Sequence, residues 1–486
     1  MTKRVWQRTL EVLWALLVIA LPFTSLPLVM KLTGSSSVAP ASLLFVIPLV
    51  LLYFPVLLKK DQPLPFHVRP VLLFFLFALL TIPLAVLTPV PDFKQQSITR
   101  AGLEGAVTLG LGLLFYLAAV SLPNSVRRIN LTLQLLNWTG LALVVYSILQ
   151  VTLEMVIPSA KPGLNAFHAL LSPTRLLEDR MQGFAAEPSW LAHMLNLVFL
   201  AYWLAATLNR TSAHRFRILR MSLENILLVL GVVALVGTLS RGGLAAFMLV
   251  LGFVFALLNI RLARWLSTRF GKGRRAVVTA VITLLLIVMY AIIALAGLWG
   301  LSRVDPRMEM VFQFTQGESN PLLEYAENLK FGERVIYWQT GWNIFNDHPL
   351  MGVGVGFSGF YFPQYLPDFG WQLSETRELL FHSDGLLNIK NLWTRLLAET
   401  GIIGFALFIT FLVVFAITAV EMINSGRGMR RTLGFMGLFM LVALLVEQMS
   451  VDSFAMPYLW FSMGLVTAGW RWYLPVANNG GVNGQI

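Results

Sequence analysis

The sequence Gly237-Thr238-Leu239-Ser240-Arg241-Gly242-Gly243 interrupts the apolar run from Asn225 to Leu258 and decides how that run folds. Apart from Arg241, those 34 residues contain no ionisable side chain. One helix of this length would extend about 51 Å, far beyond the roughly 30 Å hydrocarbon core of a bilayer. The pattern therefore predicts two short spans in a hairpin, with Arg241 at the turn. An arginine there is costly unless it faces protein, water or an anion, so Arg241 is a functional candidate; the alternative is an arginine that snorkels to lipid headgroups.

The rest of the chain has the composition of an integral membrane protein. Of its 486 residues, 57% are hydrophobic and 12% are charged, whereas soluble domains carry about 25% charged residues. The apolar runs predict an all-α polytopic membrane protein of about twelve transmembrane helices, near residues 10–30, 40–58, 70–88, 103–120, 131–156, 188–207, 225–239, 243–259, 276–300, 391–420, 432–449 and 455–470. The first run is too long for a cleaved signal and is expected to be a retained helix.

Charge in the connecting segments predicts the orientation. With the N-terminus placed inside, most of the 36 Lys and Arg residues fall in inside segments. The short outside connections hold only Lys31, Lys94, Arg100 and Arg241. The positive-inside rule therefore predicts that both termini are cytoplasmic and that Arg241 lies at the outer face. The formal charge of +12 then reflects topology and contact with anionic membrane lipids, not binding to nucleic acid.

The chain is expected to form a single membrane domain over residues 1–486. Two long outer segments stand out: a loop at 157–188, and a large cap loop at 301–390 between the ninth and tenth helices. Within the cap, apolar residues from Arg334 to Phe345 recur at helical spacing. Residues 473–486 are expected to be a disordered tail. No internal repeat is evident, which weakens the transporter folds built from repeated halves.

Several common sites are missing from the sequence. It has no cysteine, no phosphate-binding Gly-x-x-x-x-Gly-Lys-Ser/Thr loop and no metal-binding motif, so no metal and no cofactor is expected. The stretch from Gly354 to Gly359 matches Gly-x-Gly-x-x-Gly. It follows Asp347-His348-Pro349 and not a strand, so it is interpreted as a tight backbone turn.

Polar residues gather instead in the segments predicted to face outward. The candidates for holding a diphosphate are the cations Arg180, Arg241, Arg334 and Lys390. Fixed cations without a metal motif suit a lipid-linked diphosphate, since Arg binds its oxygens in pairs and Lys adds a point charge. The structural alternatives are a salt bridge of Arg334 with Glu333 or Glu327, and interfacial anchoring of Lys390.

These residues resemble the O-antigen ligase/polymerase superfamily of bacterial envelope glycosyltransferases. The resemblance rests on Leu239 to Gly243, with Ser240 and Gly242 beside Arg241, on Arg334 followed by Asp347 to Gly354, and on Asn391, Gly401 and Gly404. It implies a GT-C-like fold in the bacterial inner membrane, with an active site facing the periplasm. It also implies a metal-independent, inverting transfer of glycan from undecaprenyl diphosphate to lipid A core or to another glycan, possible cooperation with other envelope polysaccharide assembly proteins, and no nucleic-acid partner.

One position departs from the family pattern. Ligases of the family carry His-Asn, nine residues and Gly-x-x-Gly, and here Lys390 stands at the histidine position. A protonated lysine is a poor general base, so the base is expected elsewhere: first at Glu187, whose Glu-Pro-Ser sequence resembles the polymerases, and then at His382 or Glu399. The structural alternatives are that Glu187 merely begins a helix and that Glu399 pairs with Arg395 one turn earlier.

The sequence thus predicts a polysaccharide polymerase, with an O-antigen ligase as the alternative within the family. A polysaccharide or lipid transporter is the alternative from another class. Transport would place ionisable groups deep in many spans, and only Glu104, Glu154 and Glu447 suggest this. A non-catalytic scaffold of an envelope-synthesis complex is a third possibility.

Overall fold

The computed structural model describes residues 3–34, 38–59, 65–267, 275–303 and 332–473. Over these ranges the chain is all-α and has no β-strand, as predicted. The principal α-helices are α1 Lys3–Ala20, α2 Pro27–Thr33, α3 Leu43–Lys59, α4 Arg69–Val86, α5 Ile98–Ser121, α6 Val126–Val156, α7 Lys161–His168, α8 Pro188–Met194, α9 Leu200–Asn209, α10 Leu223–Gly237, α11 Arg241–Ser267, α12 Arg275–Ser302, α13 Gly332–Asp347, α14 Ser358–Tyr365, α15 Leu392–Ser425, α16 Gly428–Glu447 and α17 Pro457–Trp472.

The helices confirm a polytopic membrane protein. Within the described ranges, eight helical stretches are long and apolar enough to cross a bilayer, and two shorter apolar helices accompany them. The first predicted span differs from the structure: α1 ends at Ala20, and the short helix α2 follows from Pro27. Pro22 and Pro27 explain the break, because proline cannot donate a backbone hydrogen bond inside a helix. The predicted tail beyond residue 473 lies outside the described residues.

The predicted hairpin is present. Helix α10 ends at Gly237 and α11 begins at Arg241, and Leu239 in the turn adopts a left-handed conformation with φ +49°. Ser240 caps α11, since its hydroxyl accepts a hydrogen bond from the Gly243 amide at 3.3 Å. The turn therefore places Arg241 in the first turn of a helix, where the amide groups favour anions.

Small residues let large aromatic side chains pack between the helices. Trp203 of α9 lies against Gly140 of α6 and Gly231 of α10, where an added Cβ would come within 2.7 Å of its ring. Trp460 of α17 lies equally close to Gly112 of α5. Helix packing in a bilayer depends on such close approach, because lipid supplies no hydrophobic force between helices.

A re-entrant segment, residues 348–357, enters the bundle between α4, α5 and α15. The Val355 amide donates to the Thr81 hydroxyl of α4 at 3.3 Å, and Gly105 of α5 lies against the Val355 carbonyl. Gly352, Gly354 and Gly356 all have positive φ, which confirms a tight backbone turn in this stretch. Irregular backbone is tolerated at this depth because protein surrounds it.

The bundle has two distinct ends. We call the end where α10 and α11 meet the Arg241 end, and the segment 348–357 enters from this side. Helix α5 begins beside this segment at Ile98 and ends at Ser121, about 36 Å further along its axis. The ends of α5 and α9 and the start of α6 therefore lie at the opposite end.

Candidate functional site

The segment 157–187 packs onto the turn that carries Arg241. The Arg180 Nε donates to the Thr238 carbonyl at 2.8 Å, and the Met181 amide donates to the Gly237 carbonyl at 2.8 Å. These bonds use carbonyls at the end of α10 that have no partner within the helix. Arg180 is thereby fixed beside the turn, because its bonding partner Thr238 precedes Arg241 by three residues in sequence.

A buried histidine organises the same segment. The His168 ring is fully buried, and its Nε2 lies 3.3 Å from the side-chain amide of Gln182. Gln182 also donates to the Thr174 hydroxyl at 3.0 Å and to the Ala186 carbonyl at 2.8 Å. Burial lowers the pKa of His168 to about 4, so its ring is neutral at neutral pH.

Arg334 and the Arg241 turn meet at Ser450. The Arg334 guanidinium, at the start of α13, donates to the Ser450 hydroxyl in the loop between α16 and α17. A Cβ added at Gly242, next to Arg241, would lie 3.4 Å from the same hydroxyl oxygen. Arg334 and the first turn of α11, which carries Arg241, thus both approach one serine, although Arg334 lies over ninety residues beyond Arg241 in sequence.

Lys390 lies beside the same loop. Its amide donates to Asp452 Oδ2 at 3.1 Å, two residues after Ser450. Its Nζ is 2.6 Å from Glu375 Oε1 and 4.4 Å from the centre of the Tyr337 ring. The Tyr337 hydroxyl donates to the same Glu375 oxygen at 3.1 Å, and Tyr337 lies one turn beyond Arg334 on α13. Lys390 therefore belongs to the same cluster as Arg334, with a half-buried carboxylate in contact with it.

Beneath this cluster lies a buried ion network. Arg395 Nε is 3.0 Å from Glu399 Oε2, and its Nη1 is 3.6 Å from Asp452 Oδ2. The Ser358 hydroxyl donates to Glu399 Oε1 at 2.8 Å. Glu399 is 2% exposed and both of its oxygens are engaged, so the structural alternative, pairing with Arg395, describes its environment.

The motif residues Asn391 and Gly401 have structural roles. The Asn391 side chain caps α15 by accepting from the amides of Trp393 and Thr394 at 2.9 and 3.2 Å. At Gly401 the helix breaks, with φ +61° and ψ −167°, and a Cβ there would overlap the Leu350 carbonyl.

The break at Gly401 admits the segment 348–357. The Ile402 amide donates to the Pro349 carbonyl at 2.8 Å, and the Val353 amide donates to the Ala398 carbonyl at 2.8 Å. The segment thus pairs with backbone groups on each side of the break that have no hydrogen-bonding partner within the helix. At Gly404, three residues after Gly401, a side chain would displace Thr400 or Phe77 of α4.

The remaining base candidates lie apart from these contacts. Glu187 is exposed at the N-terminus of α8, and its Oε2 accepts from the Ser189 hydroxyl at 3.0 Å. Helix α8 packs on the start of α11, where a Cβ added at Gly243 would touch Ala192, so Glu187 lies at the Arg241 end. His382 is exposed, and its side chain has no hydrogen-bonding partner among the described residues.

Sequence reasoning missed three members of the cluster. Ser450 and Tyr337 carry no recognisable motif, and Glu375 lies in a polar stretch without periodicity. One signal was available, because Tyr337 follows Arg334 by three residues and shares its helix face. No group of three or more His, Asp or Glu side chains suited to a metal ion occurs in the described part of the chain.

Comparison with known proteins yields one family. Residues 226–409 match the family model described as O-antigen ligase. The match begins in α10, contains Arg241, Arg334 and Lys390, and ends in α15 beyond Gly404. No curated protein matches the chain.

Proposed function

Residues 226–409 belong to the O-antigen ligase/polymerase superfamily, and from this premise we propose that the protein is a polysaccharide polymerase. It would transfer glycan from undecaprenyl diphosphate to a growing polysaccharide. The observation that carries the proposal is the convergence of Arg334, Lys390 and the first turn of α11, which carries Arg241, on the loop that contains Ser450 and Asp452. Transfer to lipid A core is the alternative within the family.

The cluster has the chemistry that a diphosphate requires. Arginine guanidinium groups donate paired hydrogen bonds to phosphate oxygens, and the first turn of α11 adds backbone amides and a favourable dipole. Arg241 and Arg334 would hold the diphosphate, with Lys390 and Arg180 at its edge. Cations fixed before the reaction stabilise the negative charge that grows on the leaving group without further reorganisation.

The proposed step is a metal-independent displacement with inversion. An acceptor hydroxyl forms a bond to the anomeric carbon of the donor glycan, while the bond from that carbon to the diphosphate oxygen breaks. The hydroxyl proton passes to a carboxylate, and undecaprenyl diphosphate leaves with the bonding electron pair. The protein supplies orientation, charge stabilisation and the base.

The base must be a carboxylate that an acceptor can reach. Glu399 is buried and engaged by Arg395 and Ser358, so we assign it to the scaffold. Glu187 is exposed at the Arg241 end, and we propose it as the base. Glu375 is the second candidate, because it is 38% exposed and contacts Lys390 directly.

We propose that the Arg241 end faces the periplasm of a bacterial inner membrane and that both termini are cytoplasmic. The support is the distribution of Lys and Arg between the connecting segments. In this orientation the cluster meets a lipid-linked glycan that has already crossed the membrane. Other envelope polysaccharide assembly proteins would supply that donor and remove the product.

A transporter receives less support from the structure. The three carboxylates that suggested transport each have a partner: Glu104 pairs with Arg100 at 2.9 Å, Glu154 with Lys161 at 3.0 Å, and Glu447 accepts from Asn196 at 2.5 Å. Glu104 is moreover 64% exposed, so it does not line an internal path.

Reconstitution tests the function. The purified protein in liposomes is supplied with undecaprenyl-diphosphate oligosaccharide, alone and with lipid A core. Chain growth without core supports the polymerase, and product formed only on core supports the ligase. If neither product forms and the lipid carrier is unchanged, both activities are refuted.

Variants then test the residues. We expect Arg334→Gln and Arg241→Gln each to lower turnover by about 100-fold, the range seen when one preorganised donor is lost. Arg217→Gln, which changes an exposed arginine at the opposite end, serves as the control. Glu187→Gln should reduce turnover at least 100-fold, and Glu375→Gln less than tenfold. The reverse order would transfer the role of base to Glu375.

A further inference from the structure

A second feature lies at the end of the bundle opposite Arg241. A cavity of about 730 Å³ is enclosed by α1, α3, α6 and the connection between α5 and α6. This volume is within the range of small-molecule sites, and the cavity belongs to no part of the cluster described above. Its position, about 36 Å along α5 from the Arg241 end, separates it from any donor bound there.

The cavity is polar at its mouth and mainly apolar along its depth, where Thr132 and Gln134 are the polar side chains on α6. Arg127 and Arg128 line it at the first turn of α6, at the end of the bundle. Leu131, Leu135 and Trp138 line it further along the same helix, at the spacing of one helix face. From Arg127 to Trp138 this lining extends about 16 Å along the helix axis. A ligand that fills the cavity must therefore be charged at one end and apolar over much of its length.

The charge at the mouth is positive. Arg128 is partly neutralised, because its Nη2 lies 2.9 Å from Glu11 Oε1 and its Nη1 donates to the Asn124 side chain at 3.0 Å. Arg127 is exposed and forms no ion pair with the described residues. Glu11 thus offsets one guanidinium, and Arg127 leaves a positive charge available to an anionic group.

The apolar wall opens towards lipid. Leu131 and Trp138 are 46% and 51% exposed on a helix that is long and apolar enough to cross the bilayer. The polar Trp14 indole, on the α1 side, is already satisfied, since it donates to the Thr132 hydroxyl at 2.9 Å. A hydrocarbon chain can therefore lie along this wall without leaving that indole unpaired.

We propose that this cavity binds one anionic phospholipid, with its phosphate at Arg127 and Arg128 and an acyl chain along Leu131, Leu135 and Trp138. Basic pockets between transmembrane helices suit such headgroups, and charge-assisted hydrogen bonds to guanidinium groups are among the stronger ones. The lipid adds a link between α1 and α6 at this end of the bundle, beside the ion pair of Arg128 with Glu11 and the hydrogen bond of Trp14 to Thr132.

The test is a lipid titration of the full chain in detergent, followed by native mass spectrometry. The probes are dioleoyl phosphatidylglycerol, dioleoyl phosphatidylcholine and glycerol 3-phosphate. They separate an anionic lipid, a lipid without net charge and an anion without chains. We expect the first bound lipid to be phosphatidylglycerol, with an affinity about tenfold above that of phosphatidylcholine and no binding of glycerol 3-phosphate at the same concentration.

Three variants locate the binding. Arg127→Gln should weaken the first phosphatidylglycerol by about five- to tenfold, and Leu135→Trp should weaken both lipids by filling the wall. Arg217→Gln, an exposed arginine at the same end but outside the cavity, should leave affinity within about twofold of wild type, which controls for the basic character of the whole chain. Equal affinity for the two lipids, equal binding of glycerol 3-phosphate, or wild-type affinity in Arg127→Gln would each overturn the proposal.

Discussion

Gly401→Ala tests how the helix break builds the site. Gly401 has φ +61° and ψ −167°, a region of backbone conformation that only glycine adopts without strain. Holding alanine there costs about 1–3 kcal/mol of folding free energy. Straightening α15 instead would remove the backbone bonds of Ile402 to Pro349 and of Val353 to Ala398, each 2.8 Å long. The protein cannot escape the strain without losing the docked segment 348–357.

Space adds a second cost. A Cβ at Gly401 would overlap the carbonyl of Leu350 and approach the Met351 amide to 2.5 Å, and both are backbone groups that cannot rotate away. Overpacking of this kind costs about 1–3 kcal/mol. Together the two effects predict a loss of about 2–6 kcal/mol.

The assay is thermal unfolding in detergent, followed by size-exclusion chromatography with tryptophan fluorescence. At about 2–4 °C per kcal/mol, Gly401→Ala should lower the midpoint by at least about 4 °C. Gly110→Ala is the matched control: Gly110 lies within α5, and a Cβ there meets nothing within 4 Å. That control should be neutral or slightly stabilising, because alanine favours helix. If Gly401→Ala melts with wild type, the proposed role of the break is wrong.

Three further predictions concern the start of α15, the segment 157–187 and the cap loop at 301–390. Asn391→Ala should lower stability by about 1 kcal/mol because two amides lose their cap, whereas Asn391→Asp should retain it; equal melting of the two variants would contradict capping. The buried neutral His168 has a pKa of about 4, below the ordinary 6.5, so the stability it supports is complete above about pH 6.5. That stability falls as the pH drops towards 4, by up to about 3 kcal/mol. In His168→Gln the melting temperature should vary less over this range, and a pH profile like that of wild type would contradict this role of His168. Lys94→Met should speed tryptic cleavage after Arg377, because the Lys94 ammonium donates to the Leu379, Ser383 and Gly385 carbonyls at 2.5 to 2.9 Å. Lys31→Met is the control, and equal cleavage rates in the two variants would contradict this role of Lys94.

The transmembrane architecture was readable from sequence because one physical constraint dominates it. Each span must bury its backbone bonds in a helix of bilayer length, so apolar runs locate the spans directly. The length of the run around Arg241 likewise required a turn, and the turn is present. The first span was placed less well, since an apolar run does not register the prolines at 22 and 27 that divide it.

Parts of the candidate site were not readable, because they depend on contacts between distant segments. Arg334 and Lys390 were identified from charge, but their common partner loop with Ser450 and Asp452 has no motif. Glu375 lies fifteen residues before Lys390, and only the path of the cap brings the two within 2.6 Å. For Glu399, sequence spacing offered both a base and an ion pair, and burial favours the ion pair.

The spacing of the motif itself now has a geometric meaning. Asn391 caps the N-terminus of α15, and the helix breaks at Gly401 ten residues later, so the motif sets a distance of about 15 Å between the helix cap and the break. Beside the helix cap, the Lys390 amide donates to Asp452. At the break, α15 bonds to the segment 348–357, which follows α13, the helix that carries Arg334. An inserted residue between the two points would turn one relative to the other by about 100° and shift it by about 1.5 Å. Lys390 and Arg334 could then no longer face the same loop, which explains why helix-capping and helix-breaking residues occur at a fixed interval beside the cations.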